Sequence, residues 1–233
     1  GDFGTSYYYN EPAMSVVLER APATLTLACA ALLISVVLGI PAGIVAAVKR
    51  NSVSDAVIRV LALLGQCMPA FWLGIMLIML FAVKLGWMPT GGAEDGLRSL
   101  ILPAFTLGVF SAATICRLLR SNLIEVLGKE YIDVAKAKGL PKSKIIGKHA
   151  LKNAMSSIIT ILGMQFASLL GGSVITEQVF AWPGVGRLVI QSITTSDFAV
   201  VECIVFLMAV IFVVINFIVD VLYCVINPRV RLQ

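Results

Sequence analysis

Side chains that could do chemistry are few in this sequence, and their spacing excludes most catalytic sites. There are five cysteines and a single histidine, His149. No two cysteines form a Cys-x-x-Cys pair and their number is odd, so neither a zinc site nor a disulfide framework is predicted. The apolar segments contain no paired acids, His-Glu motif or nucleophilic serine turn. The sequence therefore predicts no catalytic residue, no metal site and no cofactor.

Two further features bear on chemistry. The phosphate-binding pattern Gly-x-x-x-x-Gly-Lys-Ser/Thr does not occur, so any ATP-driven role needs a separate nucleotide-binding subunit. Polar residues lie inside apolar stretches: Gln165 could face a path through the protein. Asn216 and Asp220 are four residues apart, which favours packing against a neighbouring helix.

Apolar helices must position these residues. The chain is 59% hydrophobic and 13% charged, whereas soluble domains carry about 25% charged residues. Five apolar stretches are long enough to cross a hydrocarbon core of about 30 Å, and a barrel would instead show short alternating strands. The predicted fold is an all-α, polytopic helical membrane protein. The prediction has an external segment 1–22, a transmembrane domain 23–226 and a cytoplasmic tail 227–233. The transmembrane domain contains a cytoplasmic loop, 119–152, and five spans: 23–48, 60–83, 99–118, 153–176 and 200–226.

The distribution of cations predicts the orientation. Of the 18 lysines and arginines, 14 lie in 49–59, 117–152 and the tail from residue 227. Cytoplasmic loops carry an excess of Lys and Arg, so these segments are expected inside, with the N-terminus outside and the C-terminus in the cytoplasm. Five spans with an external start indicate that a first N-terminal span is missing.

The loop 119–152 carries the strongest local pattern. Residues 129–138 predict a short helix with one apolar arc formed by Tyr131, Ile132, Val134 and Ala135. Gly139 follows as a residue expected to need positive φ, and a second helix begins after it. An exposed apolar arc rimmed by charge indicates a protein partner. For the later lysines of the loop, the alternative is a helix lying among anionic lipid headgroups.

A second pattern precedes the last span. Residues 180–187 read Phe-Ala-Trp-Pro-Gly-Val-Gly-Arg and combine aromatic bulk with small residues. One interpretation is a segment that dips back and lines the external mouth of a pathway. The alternative is an interfacial aromatic anchor with a Pro-Gly turn. Earlier in the chain, Gly39 and Gly43 predict close packing of the first span against another helix.

These motifs give the chain a family resemblance. Residues 130–140 (Glu-Tyr-Ile-Asp-Val-Ala-Lys-Ala-Lys-Gly-Leu) and 149–154 (His-Ala-Leu-Lys-Asn-Ala) resemble the coupling loop of ABC-importer permeases of the dipeptide, oligopeptide and nickel branch. Further segments resemble the family in the same order along the chain: 1–6, 20–25, 39–43, 68–72, 101–104, 180–187 and 227–231.

The resemblance implies a permease subunit, not an enzyme, of an ATP-driven, binding-protein-dependent importer in the bacterial inner membrane. Its implied substrate is a peptide, with a nickel complex or glutathione as the alternative on the same fold. Its implied partners are a homologous second permease, two ABC ATPases, an extracytoplasmic substrate-binding protein and membrane lipid, without nucleic acid. A secondary transporter is the alternative of a different class, but the inverted repeats and mid-membrane charges expected of one are not evident.

The resemblance also assigns site residues. Those implied to couple the chain to an ATPase are Glu130, Tyr131, Asp133, Val134, Ala135 and Gly139. Those implied to form a gate or pathway are Gln165, Phe180, Trp182, Pro183, Gly184 and Gly186.

Overall fold

The computed structural model describes residues 1–226, apart from the side chains of 156, 157, 172, 220 and 222–226. The chain is 79% helical, and no strand occurs in the described part. The all-α prediction is therefore confirmed. The predicted tail 227–233 and the side chain of Asp220 lie outside the described residues.

Ten α-helices and two π-helical segments follow one another in residues 1–226. The α-helices are α1 Ala13–Val48, α2 Val53–Cys67, α3 Ala70–Leu77, α4 Leu97–Leu127, α5 Glu130–Ala137, α6 Lys142–Lys144, α7 Leu151–Gly172, α8 Val174–Val179, α9 Val185–Thr194 and α10 Phe198–Ile226. The π-helical segments are Ile78–Lys84, after α3, and Ile145–Ala150, between α6 and α7.

Three described helices are long and apolar enough to cross a membrane, or up to five if each of two bent pairs is one span. The helix bounds differ from the predicted spans. Helix α1 begins at Ala13, ten residues before the predicted span, because its backbone hydrogen bonds continue past the charged Glu19 and Arg20 where the apolar run stops. The chain breaks within the predicted span 60–83, where the helices on either side of Met68 and Pro69 are bent by 103°. The residue before a proline disfavours helical dihedrals, which explains the break.

The first of two compact units comprises Gly1–Ile34, Met68–Gly108 and Gln165–Phe217. One of its apolar clusters joins Val16 and Val17 of α1 to Val200 of α10. Another joins Leu27 of α1 to Trp182, in the loop after α8. These clusters bring distant parts of the chain together around the segment that precedes α9.

The second unit comprises Ser35–Cys67, Val109–Met164 and the residues from Ile218 onward. Its core packs Leu119 and Leu123 of α4 against Ile132 of α5 and Ile158 of α7. The close packing predicted for Gly39 is observed, since a Cβ there would lie 2.7 Å from the Ala112 carbonyl oxygen of α4.

Candidate functional site

The loop between α8 and α9, residues 180–184, is called the gate loop here. Its turn is closed by the Trp182 N–H, which donates to the Glu177 carbonyl oxygen at 2.8 Å, and by Ala181 at φ 50°. The Phe180 side chain is buried, and a Cβ at Gly74 of α3 would lie 3.0 Å from its ring. The Trp182 indole is also buried, and its Nε1–H donates to the Ala23 carbonyl oxygen of α1 at 2.9 Å. Both aromatic residues predicted for the gate are thus packed inside the first unit.

A fully buried carboxylate, Glu177, lies directly behind the gate loop. Its Oε1 accepts hydrogen bonds from the hydroxyls of Thr24 and Ser173, each at 2.9 Å. Its Oε2 accepts a hydrogen bond from the Arg187 backbone N–H at 3.0 Å. No described cation lies within ion-pair distance of it. The carboxylate is therefore held by hydrogen bonds alone.

The same group caps helix α9. The Thr24 hydroxyl, which donates to Glu177, also accepts from the Val185 backbone N–H at 2.8 Å. Val185 and Arg187 are the first and third residues of α9, whose N–H groups have no partner within the helix. Two residues remote in sequence, Thr24 and Glu177, thus fix where α9 begins.

The two glycines predicted for the gate are required by this arrangement. A Cβ at Gly184 would lie 2.5 Å from the Thr24 hydroxyl oxygen, and a Cβ at Gly186 would lie 2.6 Å from Val174 Cα. Real Cβ atoms do not approach so closely, so the carboxylate group and α8 fill the space that side chains would need. Pro183, between Trp182 and Gly184, is half-buried.

Gln165 lies in the middle of α7 and is half-buried. None of the hydrogen bonds around Glu177 involves it, so the structure does not join it to the gate loop. Glu177 itself was assigned no role from the sequence. The sequence did contain a signal for it: an acid beside an apolar span, where an unpaired charge is costly and a polar partner is expected. Glu177 lies four residues after Ser173 and seven residues before Gly184.

The predicted coupling helix is α5, Glu130–Ala137. Ile132 and Ala135 are 0% and 7% exposed and pack into the core of the second unit, whereas Tyr131 and Val134 are 41% and 54% exposed. The predicted apolar arc is therefore divided between an inner and an outer face. Ala135 stays a predicted coupling residue, although its methyl group packs within its own chain.

The outer face of α5 carries charge as well as apolar surface. Glu130 and Asp133 are exposed, and Lys136 Nζ lies 2.7 Å from Asp133 Oδ1. Such exposed pairs contribute only about 0–1 kcal/mol. The Tyr131 hydroxyl accepts a hydrogen bond from Asn153 Nδ2 of α7 at 2.9 Å, which links the two helices.

Helix α5 ends at a glycine turn. Gly139 has φ 74°, as predicted, and nothing lies within 4 Å of the position a Cβ would take. Its N–H donates to the Lys136 carbonyl at 2.9 Å, and the Leu140 N–H donates to the Ala135 carbonyl at 3.3 Å. This is the Schellman pattern of a helix C-terminus. Backbone dihedral preference alone therefore explains the glycine.

A buried ion pair supports α4, the helix that leads into α5. Asp55 is fully buried, and Arg120 of α4 binds it with two hydrogen bonds, Nε to Oδ1 at 2.7 Å and Nη2 to Oδ2 at 2.8 Å. Arg59 lies 3.4 Å from the same carboxylate. Sequence reasoning used Arg120 only to assign topology, because no local pattern pairs it with Asp55, which lies 65 residues earlier in the chain.

Comparison with known proteins gives a consistent family. Residues 39–232 match the family model described as binding-protein-dependent transport system inner membrane component. The glutathione transport system permease protein GsiC of Escherichia coli strain K12 is 42% identical over 231 residues, which is 99% of this chain and 75% of the relative. GsiC of Salmonella typhi is 43% identical over the same extent.

Solved structures agree in fold. A chain of the MetNI methionine ABC transporter, in an inward-facing conformation, superposes with a TM-score of 0.78 at 20% identity and covers 92% of this chain and 97% of its own. A chain of an amino acid ABC transporter crystallised with histidines superposes with a TM-score of 0.68 at 18% identity, covering 92% and 94%.

Proposed function

We propose, on the premise that this chain belongs to the family of binding-protein-dependent transport system inner membrane components, that it imports short peptides, glutathione among them. The chain is the permease subunit of an ABC importer, and the ATPase is a separate subunit. It acts in the bacterial inner membrane together with an ATPase and a binding protein. The secondary transporter considered from the sequence is thereby excluded.

The proposed substrate rests on one observation. The relatives named as glutathione permeases match over 99% of this chain at 42–43% identity. Glutathione is a tripeptide, so the expected peptide substrate and the expected glutathione alternative share the same chemistry. A nickel complex remains the alternative substrate on the same fold.

Coupling to ATP hydrolysis is proposed to occur at α5. The helix offers Glu130, Tyr131, Asp133 and Val134 on its exposed face, while Ile132 fixes it from below. Eight residues make a rigid segment of about 12 Å. Because its inner face is embedded in the core with α4 and α7, force applied to the outer face is transmitted to those helices rather than absorbed by bending.

The gate loop is proposed to line the external mouth of the pathway. The support is that its aromatic side chains and both glycines are fixed by contacts with α1, α3 and α8, which a simple interfacial anchor does not require. The proposed assembly contains a homologous second permease and two ATPases. The N-terminal side of this chain is placed outside and the C-terminal side in the cytoplasm, on the cation distribution.

The test is reconstitution of the complete importer in proteoliposomes with its ATPase and binding protein. ATP-dependent uptake is measured for labelled glutathione, trialanine and a nickel chelate. The proposal expects saturable peptide uptake that stops without ATP. If only the nickel chelate is taken up, the nickel complex replaces the peptide as the proposed substrate. If none of the three is taken up in an ATP-dependent manner, the proposed function is contradicted.

A further inference from the structure

A cavity of about 210 Å³ opens beside the start of α9, within the first unit. It is lined by Tyr9, Arg20, Pro183, Arg187 and Gln191, among others, and by no acid. Drug-sized pockets run to about 300–1,000 Å³, so this cavity suits one terminal residue of a small molecule rather than the whole of it. Its polar lining residues are two arginines, a glutamine and a tyrosine, whose side chains are rich in hydrogen-bond donors.

Both guanidiniums keep donors available. Arg187 Nη1 donates to the Ala181 carbonyl oxygen at 2.7 Å, which leaves its remaining N–H groups uncommitted to described residues. Arg20 is half-buried and makes no hydrogen bond with a described residue. Neither arginine forms an ion pair within the described part of the chain. Two arginines, half-buried Arg20 and exposed Arg187, thus line one cavity without an ion-pair partner in the described part of the chain.

The walls of the cavity are held in place by contacts outside it. Arg187 is fixed through its backbone N–H by Glu177. Tyr9 is fixed through its N–H, which donates to the Ser6 hydroxyl at 2.9 Å, and Ser6 in turn donates to the buried Asp197. Burial by itself raises the pKa of Asp197, but hydrogen bonds from Ser6 and from backbone N–H groups outweigh it, so its pKa lies below the ordinary value. Asp197 therefore stays ionised and keeps Tyr9 on the rim.

We propose that this cavity is a carboxylate-binding site that receives the free C-terminal carboxylate of a peptide on the external side. Guanidinium groups bind carboxylates through two parallel hydrogen bonds, and such charge-assisted bonds are about twice as strong as neutral ones. The site lies against Pro183 of the gate loop, so a bound carboxylate touches the segment proposed to line the mouth. This inference rests on the peptide-import function proposed above.

The first test measures occupancy without transport. Phenylglyoxal modifies accessible guanidiniums, and peptide mapping by mass spectrometry follows Arg20, Arg187 and Arg98 separately in the purified complete importer. Arg98 is exposed and does not line the cavity. Trialanine should slow modification of Arg20 and Arg187, trialanine amide should not, and neither should affect Arg98. Equal modification with and without trialanine would overturn the site.

An acidic side chain of the binding protein is the other source of a carboxylate. Peptide-free binding protein is therefore added in a parallel sample. Protection by the peptide-free protein, with none from trialanine, would overturn the assignment to substrate. Because labelling needs no uptake, this result stands even if the importer transports no peptide, which would contradict only the proposed function.

The second test uses transport by variants. Arg20→Gln should lower trialanine uptake about tenfold or more at subsaturating peptide, as expected for loss of a charge-assisted contact. Arg20→Lys should retain part of it, and Arg98→Gln should match the unmodified protein. Arg20 is chosen because the Arg187 side chain also bonds the gate loop. Equal uptake by Arg20→Gln and Arg98→Gln would overturn the proposal.

Discussion

The gate loop and the proposed coupling helix α5 are both short segments, yet they are held by different means. The gate loop is held by hydrogen bonds of Trp182, whose Nε1–H donates to the Ala23 carbonyl oxygen and whose backbone N–H donates to the Glu177 carbonyl oxygen. The Glu177 carboxylate accepts three more hydrogen bonds at the start of α9, directly after the loop. Helix α5 is fixed by Ile132 and Ala135 in an apolar core, and the Tyr131 hydroxyl accepts a hydrogen bond from Asn153 of α7.

The difference concerns how directional the contacts are. Hydrogen bonds need a defined geometry, so a displacement of the gate loop would break those made by Trp182. Apolar packing is non-directional, so α5 can rotate slightly and keep its contacts, while its outer face stays exposed.

The largest expected effect comes from removing the carboxylate. Glu177→Ala leaves the Thr24 and Ser173 hydroxyls and the Arg187 N–H without their acceptor, and each unsatisfied buried group costs about 1–3 kcal/mol. We expect loss of uptake and a lower thermal unfolding midpoint of the detergent-purified complex. Glu202→Ala is the control, because Glu202 is an exposed acid near the start of α10.

Glu177→Gln sharpens this test. An amide keeps one acceptor oxygen but places an NH₂ group against a donor, so its stability should fall between the unmodified protein and Glu177→Ala. A Glu177→Ala protein with unchanged uptake and midpoint would show that the polar contacts do not hold the gate loop.

The next effect should appear at the outer face of α5. Val134→Asp places a carboxylate in the proposed contact with the ATPase, where alteration of a hot-spot residue costs about 2 kcal/mol or more. We expect co-purification of the ATPase to fall, with the permease itself still folded. Lys129→Ala and Lys136→Ala are the matched controls and should be nearly neutral, as exposed pairs are. Release of the ATPase by the lysine variants but not by Val134→Asp would contradict the apolar contact.

Ala135→Asp tests whether the two faces of α5 have different roles. It puts a charge into the core of the second unit, so it should lower the thermal midpoint of the permease even in the absence of the ATPase. Val134→Asp should leave that midpoint unchanged. Equal midpoints for the two variants would contradict the division of the arc into inner and outer faces.

A smaller effect is expected at the turn after α5. Gly139→Val forces a β-branched residue to φ 74°, which costs about 1–2 kcal/mol although no atom blocks the side chain. We expect impaired uptake with uncoupled ATP hydrolysis in proteoliposomes. Gly139→Asn is the control, because asparagine tolerates this dihedral region better. Full coupling in the valine variant would show that the turn geometry is not required.

The smallest effect should come from the side-chain hydrogen bond between Tyr131 of α5 and Asn153 of α7. Tyr131→Phe removes the hydrogen bond with Asn153 but keeps the ring. We therefore expect the free energy of unfolding to fall by about 0.5–1.5 kcal/mol. Tyr131→Ala also removes the exposed ring and should weaken ATPase co-purification further. If the two variants release the ATPase equally, the hydroxyl rather than the ring is the important group.

Local features of both regions could be predicted from the sequence. The apolar runs predicted helices, and the sequence before Gly139 predicted a helix that ends in positive φ, because helix ends are determined within a few residues. The close packing of Gly39 was also predictable from residue size. The division of the α5 arc was not, because Ile132 and Val134 are equally apolar and only tertiary packing decides which is buried.

Long-range polar contacts could not be predicted. Thr24 and Glu177 are separated by 153 residues, and Asp55 and Arg120 by 65. A single sequence gives each of these residues many possible partners. Pro69 could have indicated the bend between α2 and α3. However, Pro103 lies inside α4 without ending it, so a proline alone does not tell a helix break from a continuous helix.

The pairing of Thr24 with Glu177 also has a consequence for the order in which the protein is made. Ribosomes add about 5–20 residues per second, so the Thr24 hydroxyl waits roughly 8–30 s in the nascent chain before Glu177 has been synthesised. During that time a threonine hydroxyl can bond the carbonyl of its own helix one turn earlier, as Thr26 does to Pro22 in the finished structure. The first helix therefore has a temporary partner for this group, and the contacts beside the gate loop can form only after Glu177 has been synthesised.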